Sequence, residues 1–389
     1  MASAPSNGAP TASKNFNRIL FVPRPWTRES EKTVYDRCLE QVRLADQLGF
    51  DFIWAVEHHF LEEYSHCSSP ELFLSACAMI TQRIRLGFGI VVCVPEYSNP
   101  IRIAERTATL DILSGGRLEV GTGRSATWTE LGGFRANPDE TKKTWDEFVH
   151  CIPKMWTQER YSYQGVTWSM PQRTILPKPY QKPHPPLWVA VTSPGTEIDA
   201  AERGLGSLGL TFGTVEEQEE KLKRYRRIIR DCEPVGDFVN EQVATINFLY
   251  CHEDNAQGVA TGRRITDRFV PLATQFVHNP EAIPTRSGAS QGLLATLRRQ
   301  ASAPGAAPPG IAIGNPERIT RELKKWEAMG VDCVNFVLNV LEVVPQEQVL
   351  DSLRLFAREV MPHFKDAPAQ SEDHGLKPGS LPSAAAGGR

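Results

Sequence analysis

Short apolar runs rich in β-branched residues alternate with longer helical patterns along almost the whole chain of 389 residues. We predict strands at eight such runs, each followed along the chain by a helix. Runs that are apolar on both faces are typical of parallel strands buried between helices. Because no break divides the chain into halves, the alternation favours a closed (β/α)8 barrel over a doubly wound sheet. The predicted strands are 19–22, 52–56, 84–94, 118–121, 187–191, 207–210, 246–250 and 334–338.

Residues that start and stop helices support the helical half of this pattern. Gly49 follows the first helical segment, and glycine is a common residue after a helix C-terminus. Ser69-Pro70 and Asn99-Pro100 each place a capping side chain before a proline that suits the first helical position. The predicted helices are 32–48, one starting at 70, 100–113, 138–156, 195–203, 215–231, 316–329 and 346–360.

Other segments interrupt or flank the barrel pattern. Residues 254–310 separate the seventh strand from the next clear helix, and this length is too great for a simple loop. Since barrel enzymes build their active sites at the C-terminal ends of the strands, we expect this insertion to form a lid. Residues 1–16 are predicted to be a flexible N-terminal tail, 17–365 the barrel, and 366–389 a disordered C-terminal tail.

Charge and hydropathy exclude several classes of function. A net charge of −3 offers no basic surface for nucleic acid. No apolar stretch approaches the roughly 20 residues of a membrane helix, and the N-terminal residues lack the apolar segment of a secretory signal. The eight cysteines show no Cys-x-x-Cys spacing. They indicate a reduced, cytoplasmic protein with neither a disulfide framework nor a zinc site.

Three polar segments follow predicted strands, at the end where barrel enzymes place their chemistry. The first is Glu57-His58-His59-Phe60, after the second strand. Neighbouring side chains of an extended chain point to opposite faces, so both histidines cannot bind one small ligand, and no metal site is expected. One histidine at the barrel mouth could act as a base, because its ordinary pKa is near neutrality. Two structural histidines at the start of a loop are the alternative.

The other two segments suit an anionic group. Gly121-Thr122-Gly123-Arg124 ends the fourth strand and combines backbone amides with a guanidinium, a set that matches a phosphate. Residues 192–197 follow the fifth strand and enter a helix, where hydroxyl and backbone N–H groups can bind an anion. Ordinary glycine turns and plain helix capping are the alternatives. The glycine-rich segment at the end of the fourth strand is not a dinucleotide-binding fingerprint, because it lacks the pattern Gly-x-Gly-x-x-Gly.

In this order the segments resemble the luciferase-like monooxygenase superfamily, FMN-dependent enzymes of the bacterial luciferase type. The similarity extends over residues 18–364. Its most specific parts are Glu57-His58-His59-Phe60 and Ser114-Gly115-Gly116-Arg117. The matching segments are 48–60, 83–90, 99–100, 110–124, 186–191, 314–317 and 329–332.

The resemblance implies a TIM barrel that binds FMN, with the flavin reduced by a separate NAD(P)H:flavin reductase, in an enzyme that is often a homodimer. By position, His58 matches the catalytic histidine and Arg124 the arginine that binds the flavin phosphate. Gly89 and Ile90 match a site where the family often has a non-prolyl cis peptide beneath the isoalloxazine ring. The other matches to the cofactor site are Glu57, Ser193, Pro194, Gly195 and Thr196. Lys142 stands near the place of a second basic contact to the phosphate, where an arginine is usual in the family.

The function implied by the resemblance is monooxygenation of a small organic substrate with reduced FMN and dioxygen, through a C4a-peroxyflavin. A deazaflavin (F420)-dependent oxidoreductase on the same barrel and a non-catalytic flavin-binding protein are the alternatives. Tyr64, His66 and Trp128 are expected to line the substrate pocket. Aromatic walls suit many organic molecules, so hydroxylation, Baeyer–Villiger insertion and heteroatom oxidation all stay open.

Overall fold

Parallel strands alternate with helices from one end of the described chain to the other. The structure is a computed structural model that describes residues 13–18, 20–125, 127–192, 195–210, 215–277 and 312–364. The strands are β1 (Ser13–Arg18), β2 (Phe52–Ala55), β3 (Arg85–Val92), β4 (Leu118–Gly123), β5 (Tyr161–Gln164), β6 (Ser169–Arg173), β7 (Leu187–Val191), β8 (Gly206–Leu210), β9 (Val243–Cys251), β10 (Ala312–Gly314) and β11 (Cys333–Val337).

Eight of these strands close into a barrel. They pair in parallel in the order β1-β2-β3-β4-β7-β8-β9-β11, and β11 pairs again with β1. The short strand β10 pairs with the C-terminal part of β9, while β5 and β6 form a separate antiparallel hairpin. The predicted (β/α)8 barrel is confirmed.

Two of the residues predicted at helix ends adopt capping conformations. Gly49 ends the first helix with a positive φ of 84°, and the Asn99 side chain accepts a hydrogen bond from the Ile101 N–H. No helix among the described residues has the length and apolarity needed to cross a membrane. The helices are α1 (Arg28–Leu48), α2 (Pro70–Ile80), α3 (Pro100–Leu113), α4 (Trp128–Gly133), α5 (Thr141–Thr157), α6 (Thr196–Glu202), α7 (Val215–Ile228), α8 (Asn255–Val277), α9 (Pro316–Met329) and α10 (Gln346–Glu359).

The first strand differs from the prediction. β1 lies at Ser13–Arg18, so the barrel begins ahead of the predicted boundary at residue 17. Pairing with β2 and β11 uses backbone groups, which do not require apolar side chains. Leu20 and Val22 are fully buried outside the strand, and the Leu20 carbonyl accepts a hydrogen bond from the His66 N–H. The apolar residues Leu20 and Val22 are therefore explained by their burial in the core and do not mark a strand.

The predicted insertion begins with a helix. α8 packs on β10 through two glycines, since a Cβ on Gly258 would lie 2.8 Å from the Gly314 carbonyl oxygen and one on Gly262 would meet Ile313. The remaining part of the insertion, residues 278–310, lies outside the described residues. Both predicted tails also fall there, apart from the residues of β1.

Side chains fill the barrel at the N-terminal end of its strands. The Glu119 carboxylate accepts hydrogen bonds from Trp188 Nε1 (2.6 Å) and Arg85 Nε (2.5 Å). Burial raises the pKa of the Glu119 carboxyl, although the Arg85 charge opposes the change. Above this pair lies a cluster of buried side chains made of Phe52, Trp54, Trp188, Leu208, Ala244 and Cys333. Among the described residues, the space for a ligand is therefore at the C-terminal end of the barrel, where Gly89, Ile90, Ala190 and Ile246 are partly exposed.

Candidate active site

An open patch of backbone lies at the C-terminal end of β3. The peptide bond between Gly89 and Ile90 is cis and non-prolyl, as the resemblance implies. The register between β3 and β4 shifts here, so that these two residues lie opposite Gly121 alone. A Cβ on Gly121 would lie 2.1 Å from the Phe88 carbonyl oxygen, and one on Gly123 would lie 2.8 Å from Ile90 Cδ1. Glycine is therefore required at both β4 positions for this bulge to form.

Glu57 joins the loop after β2 to the end of the same bulged strand. Its Oε2 accepts a hydrogen bond from the Val92 N–H at 2.8 Å, and its Oε1 lies 3.4 Å from His59 Nε2. The side chain is buried. Glu57 thus lies beside the Gly89–Ile90 peptide, where the resemblance implies a flavin pocket.

His58 forms a pair with a buried carboxylate that the sequence analysis did not single out. His58 Nδ1 lies 3.1 Å from Glu130 Oε1, which also accepts the His59 backbone N–H at 3.0 Å. The other oxygen, Oε2, accepts hydroxyl hydrogen bonds from Ser125 (3.0 Å) and Thr127 (2.7 Å). Only 1% of the Glu130 residue surface is exposed.

Glu130 carries a negative charge at neutral pH. Burial alone would raise the pKa of its carboxyl, but the His58 charge and the hydrogen bonds from His58, Thr127 and the His59 N–H lower it below its ordinary value. A signal for this residue was present in the sequence, because Thr127-x-x-Glu130 has the spacing of a helix capping box. The Thr127 side chain does cap α4 and accepts the Glu130 N–H.

The two histidines lie in different surroundings, as strand alternation predicts. The His58 ring packs edge-to-face on Tyr64, with ring centroids 5.2 Å apart, and its side chain is 26% exposed. No described residue makes a hydrogen bond to His58 Nε2. The His59 ring instead packs on Phe134 at 4.8 Å and approaches Glu57.

Arg124 directly follows β4 on the other side of the open patch. Its side chain is partly buried, and within the described part of the chain its guanidinium makes no hydrogen bond or ion pair. Burial lowers the pKa of the Arg124 guanidinium, while the Asp199 charge acts in the opposite direction. A cation that is partly removed from water without a partner favours an anionic ligand.

The chain from Thr192 to α6 borders the same region. Gly195 has φ +84° with no atom within 4 Å of an added Cβ, and the buried Thr196 begins α6. Ser193 and Pro194 lie outside the described residues. Lys142 forms an ion pair with Asp199 on α6 (2.8 Å) and its side chain is 58% exposed. The lysine therefore already has a partner, in contrast to Arg124.

The three residues predicted for the substrate pocket separate into two groups. Tyr64 contacts His58 and also Phe269 of α8, with ring centroids 6.1 Å apart in the second pair. Trp128 and Ile90 pack against one small cluster of buried side chains. His66 instead uses both ring nitrogens for Glu31 of α1 and the Glu62 carbonyl. The structure therefore brings Tyr64 and Trp128 to the candidate site and fixes His66 against α1.

No group of three or more metal-binding side chains occurs among the described residues.

Within the described residues, an open backbone patch, a histidine paired with a carboxylate and an arginine without a hydrogen-bond partner lie at the mouth of a parallel barrel, the end where barrel enzymes bind their ligands. Residues 18–333 match the family model described as luciferase-like monooxygenase, and the chain belongs to this family. The predicted family is confirmed.

Individual relatives agree with this assignment. The oxygenase component of a flavin-dependent trigonelline monooxygenase from Acinetobacter baylyi is 28% identical over 362 residues, which cover 90% of this chain and 96% of that protein. The crystal structure of the monooxygenase RslO1 from Streptomyces bottropensis is similar with a TM-score of 0.73 at 25% identity, over 91% of this chain and 100% of that one. The chain is therefore an enzyme of the luciferase-like, flavin-dependent monooxygenase kind.

Two further solved structures share the fold at lower identity. The oxygenating constituent of 3,6-diketocamphane monooxygenase from Pseudomonas putida, solved in complex with FMN, has a TM-score of 0.70 at 17% identity and covers 90% of this chain and 98% of its own. The F420-dependent tetrahydromethanopterin reductase of Methanopyrus kandleri has a TM-score of 0.66 at 18% identity, with coverages of 92% and 100%. The fold thus occurs with two kinds of flavin-like cofactor.

Proposed function

We propose that the chain is the oxygenase component of a two-component monooxygenase, which uses reduced FMN and dioxygen to oxygenate a small organic substrate. The observation that carries the proposal is the partly buried Arg124 guanidinium without a partner, next to the open Gly89–Ile90 patch. The trigonelline relative supports it, because that protein is described as the oxygenase component of a flavin-dependent enzyme. The same description supports a separate flavin reductase as partner.

The residues present fit a flavin mononucleotide. Arg124 and the backbone around Gly195 and Thr196 would bind the phosphate, since a guanidinium and free N–H groups are the donors that a phosphate accepts. The Gly89–Ile90 peptide and the neighbouring glycines of β4 would offer the ring system a surface made mainly of backbone. Glu57, fixed by the Val92 N–H, would stay beside the ring.

When bound, a reduced flavin supplies the activation of dioxygen and the transfer of one oxygen atom to the substrate. The protein positions the reactants, excludes water and moves protons. The His58 side chain is partly exposed at the mouth, and its Nε2 would give or take a proton there. Tyr64 and Phe269 close the side of the mouth next to His58 with aromatic surface.

The competing cofactor is a deazaflavin, because the fold also occurs in an F420-dependent reductase. Titration of the purified chain with FMN and with F420, each oxidised and reduced, separates the two. We expect tighter binding of reduced FMN. Preferential binding of F420, with hydride transfer and no oxygen uptake, would replace the monooxygenase by the oxidoreductase.

Turnover tests the proposal itself. A substrate panel with reduced FMN, dioxygen and an added flavin reductase should give a product heavier by one oxygen atom, detected by mass spectrometry with ¹⁸O₂. Oxidation of NADPH at the rate of product formation, without any reductase, would contradict the two-component reaction. Tight flavin binding without turnover on any substrate would instead favour a non-catalytic flavin-binding protein.

We also propose that two copies pair through α2 and α3. Leu72 and Met79 lie seven residues apart on α2 and are 70% and 66% exposed, and Ile112 and Leu113 at the end of α3 are exposed too. Exposed apolar helix surface of this kind is typical of protein–protein contacts. Light scattering should give a dimer that dissociates in the Leu72→Lys, Met79→Lys double variant. A monomeric parent protein would contradict the proposal.

A further inference from the structure

We infer that Glu130 is the positioning residue that holds the His58 imidazole with its proton on Nδ1, so that Nε2 is the atom available for proton transfer. The inference rests on the proposed catalytic role of His58. The three polar segments singled out from the sequence follow predicted strands, and the inference adds the Glu130 carboxylate on α4 to them. It also gives the two ring nitrogens of His58 different roles, since Nδ1 binds Glu130 and Nε2 transfers the proton.

The hydrogen bonds around Glu130 determine the position of the histidine proton. An ionised carboxylate only accepts hydrogen bonds, with room for about four donors. Oε1 takes the His59 N–H and faces His58 Nδ1, and Oε2 takes the hydroxyls of Ser125 and Thr127. Because Glu130 has no proton to donate, the contact with His58 is a hydrogen bond only if Nδ1 carries the hydrogen.

The remaining nitrogen of His58 points to no described hydrogen-bond partner. Within the described residues the ring contacts Glu130 through Nδ1 and the ring of Tyr64 through its edge. The other ionisable groups near the ring are Glu57 and His59, which approach each other on the same loop. In neutral His58, Nε2 is therefore an acceptor that can take a proton from a bound molecule.

α4 holds the carboxylate in place. The Thr127 hydroxyl oxygen accepts the Glu130 N–H at 3.2 Å and donates its own hydrogen to Glu130 Oε2, so main chain and side chain are fixed together. Trp128 packs against Gly132 in the same short helix, where a Cβ would lie 2.9 Å from the indole. Because hydrogen bonds hold both the main chain and the carboxylate of Glu130, the carboxylate restricts the His58 imidazole to one orientation.

Histidine NMR on the resting protein tests the inference without any turnover. A two-bond ¹H–¹⁵N spectrum, with the His58 signals assigned by their loss in His58→Gln, distinguishes the two neutral tautomers. We expect the Nδ1–H tautomer in the parent protein. In Glu130→Gln an amide that can donate as well as accept replaces the carboxylate, so the fraction of the Nδ1–H tautomer should fall. An Nε2–H tautomer in the parent, or an unchanged tautomer fraction in the variant, would overturn the inference.

Two further variants separate the carboxylate from the shape of the side chain. Glu130→Asp keeps a group that only accepts hydrogen bonds, so the Nδ1–H tautomer should be recovered at least in part, whereas equal behaviour of the Asp and Gln variants would show a purely structural role. Glu147→Gln is the matched control. The Glu147 carboxylate also accepts two backbone N–H groups and a threonine hydroxyl, which belong to the turn between β5 and β6, but no described hydrogen bond joins it to a histidine. The His58 tautomer should not change in this control.

Kinetics complete the test. With FMN binding measured separately, Glu130→Gln should lower the rate of product formation about 10–100-fold, the usual cost of losing a group that orients a histidine. If the parent shows no turnover, the proposed function fails, while the tautomer and its change in Glu130→Gln still decide the role of Glu130.

Discussion

The His58 end and the Arg124 end of the candidate site use their polar groups in opposite ways. Around Glu130 the available hydrogen-bond positions are filled by the protein itself. The Arg124 guanidinium has no such partner among the described residues. The first end is therefore organised by the protein itself, whereas the second leaves a guanidinium with which a ligand could pair. Under the proposed function, proton transfer belongs to the first end and cofactor binding to the second, so substitutions at the two ends should have different effects.

The largest effect is expected for His58→Ala. Loss of a general base or acid typically lowers a rate about 10²–10⁴-fold, and His58 makes no contact with Arg124. Product formation should therefore fall at least tenfold, while FMN affinity stays within a few-fold of the parent value. The measurements are turnover with reduced FMN and flavin titration.

His59→Ala is the matched control for this variant. His59 approaches Glu57 and packs on Phe134, so its loss should affect stability more and catalysis less. A His58 variant with unchanged product yield, or with activity lost only in proportion to lost flavin, would contradict the separation of the two ends.

Arg124→Ala should produce the next largest effect, on binding. A charge-assisted hydrogen bond to an ionised group contributes about 2–3 kcal/mol, so FMN affinity should fall by that amount. Riboflavin, which lacks the phosphate, should bind the variant and the parent almost equally. Equal losses for riboflavin and FMN would mean that Arg124 supports the fold and does not bind phosphate.

The pH dependence of stability should show a smaller effect at the His58 end. The folded-state pKa of Glu130 is lowered, so its carboxylate stabilises the fold above the unfolded-state pKa of about 4.3, and this contribution is lost as the pH falls through the folded-state value. Glu130→Gln should be less stable than the parent by about 1–2 kcal/mol at neutral pH. Thermal unfolding should show this difference shrinking below pH 4.3; a difference that grows there would contradict the charged state of Glu130.

Lys142→Ala should have the smallest effect. The side chain is largely exposed and already paired with Asp199, and exposed ion pairs contribute about 0–1 kcal/mol. FMN affinity should therefore change much less than in Arg124→Ala, as measured by the same titration. A loss as large as that of Arg124→Ala would show that the lysine leaves Asp199 to bind the phosphate.

Much of the barrel was predictable because buried parallel strands have a distinctive composition. Phe52–Ala55 and Leu187–Val191 are apolar on both faces and were located almost to the residue. β1 was not, since its sequence Ser-Lys-Asn-Phe-Asn-Arg is mostly polar and its pairing depends on backbone groups. α8 was missed because it lies in a segment with no family motif.

Candidate site residues could be named from the sequence only where a residue follows a strand or matches a family motif. The roles of His58, Arg124 and the Gly89–Ile90 peptide stay predictions, and these residues were identified in this way. Glu130 was not, because α4 has six residues, two of them glycine, and gives too short a pattern for helical periodicity. The Thr127-x-x-Glu130 spacing was the one available signal. It indicates a helix start but not that the glutamate reaches a histidine 72 residues earlier in the chain.

Glu130 and α8 are held in place by different parts of the chain, which bears on how such an enzyme can acquire new substrates. His58 receives its carboxylate from α4, which lies between β4 and α5, whereas α8 reaches the histidine through the ring of Tyr64. Under the proposed function, substitutions on α8 can therefore reshape the space for a substrate while His58 and Glu130 keep all their hydrogen bonds. A laboratory search for new substrates should begin at Phe269 of α8, which contacts Tyr64, with α4 left intact.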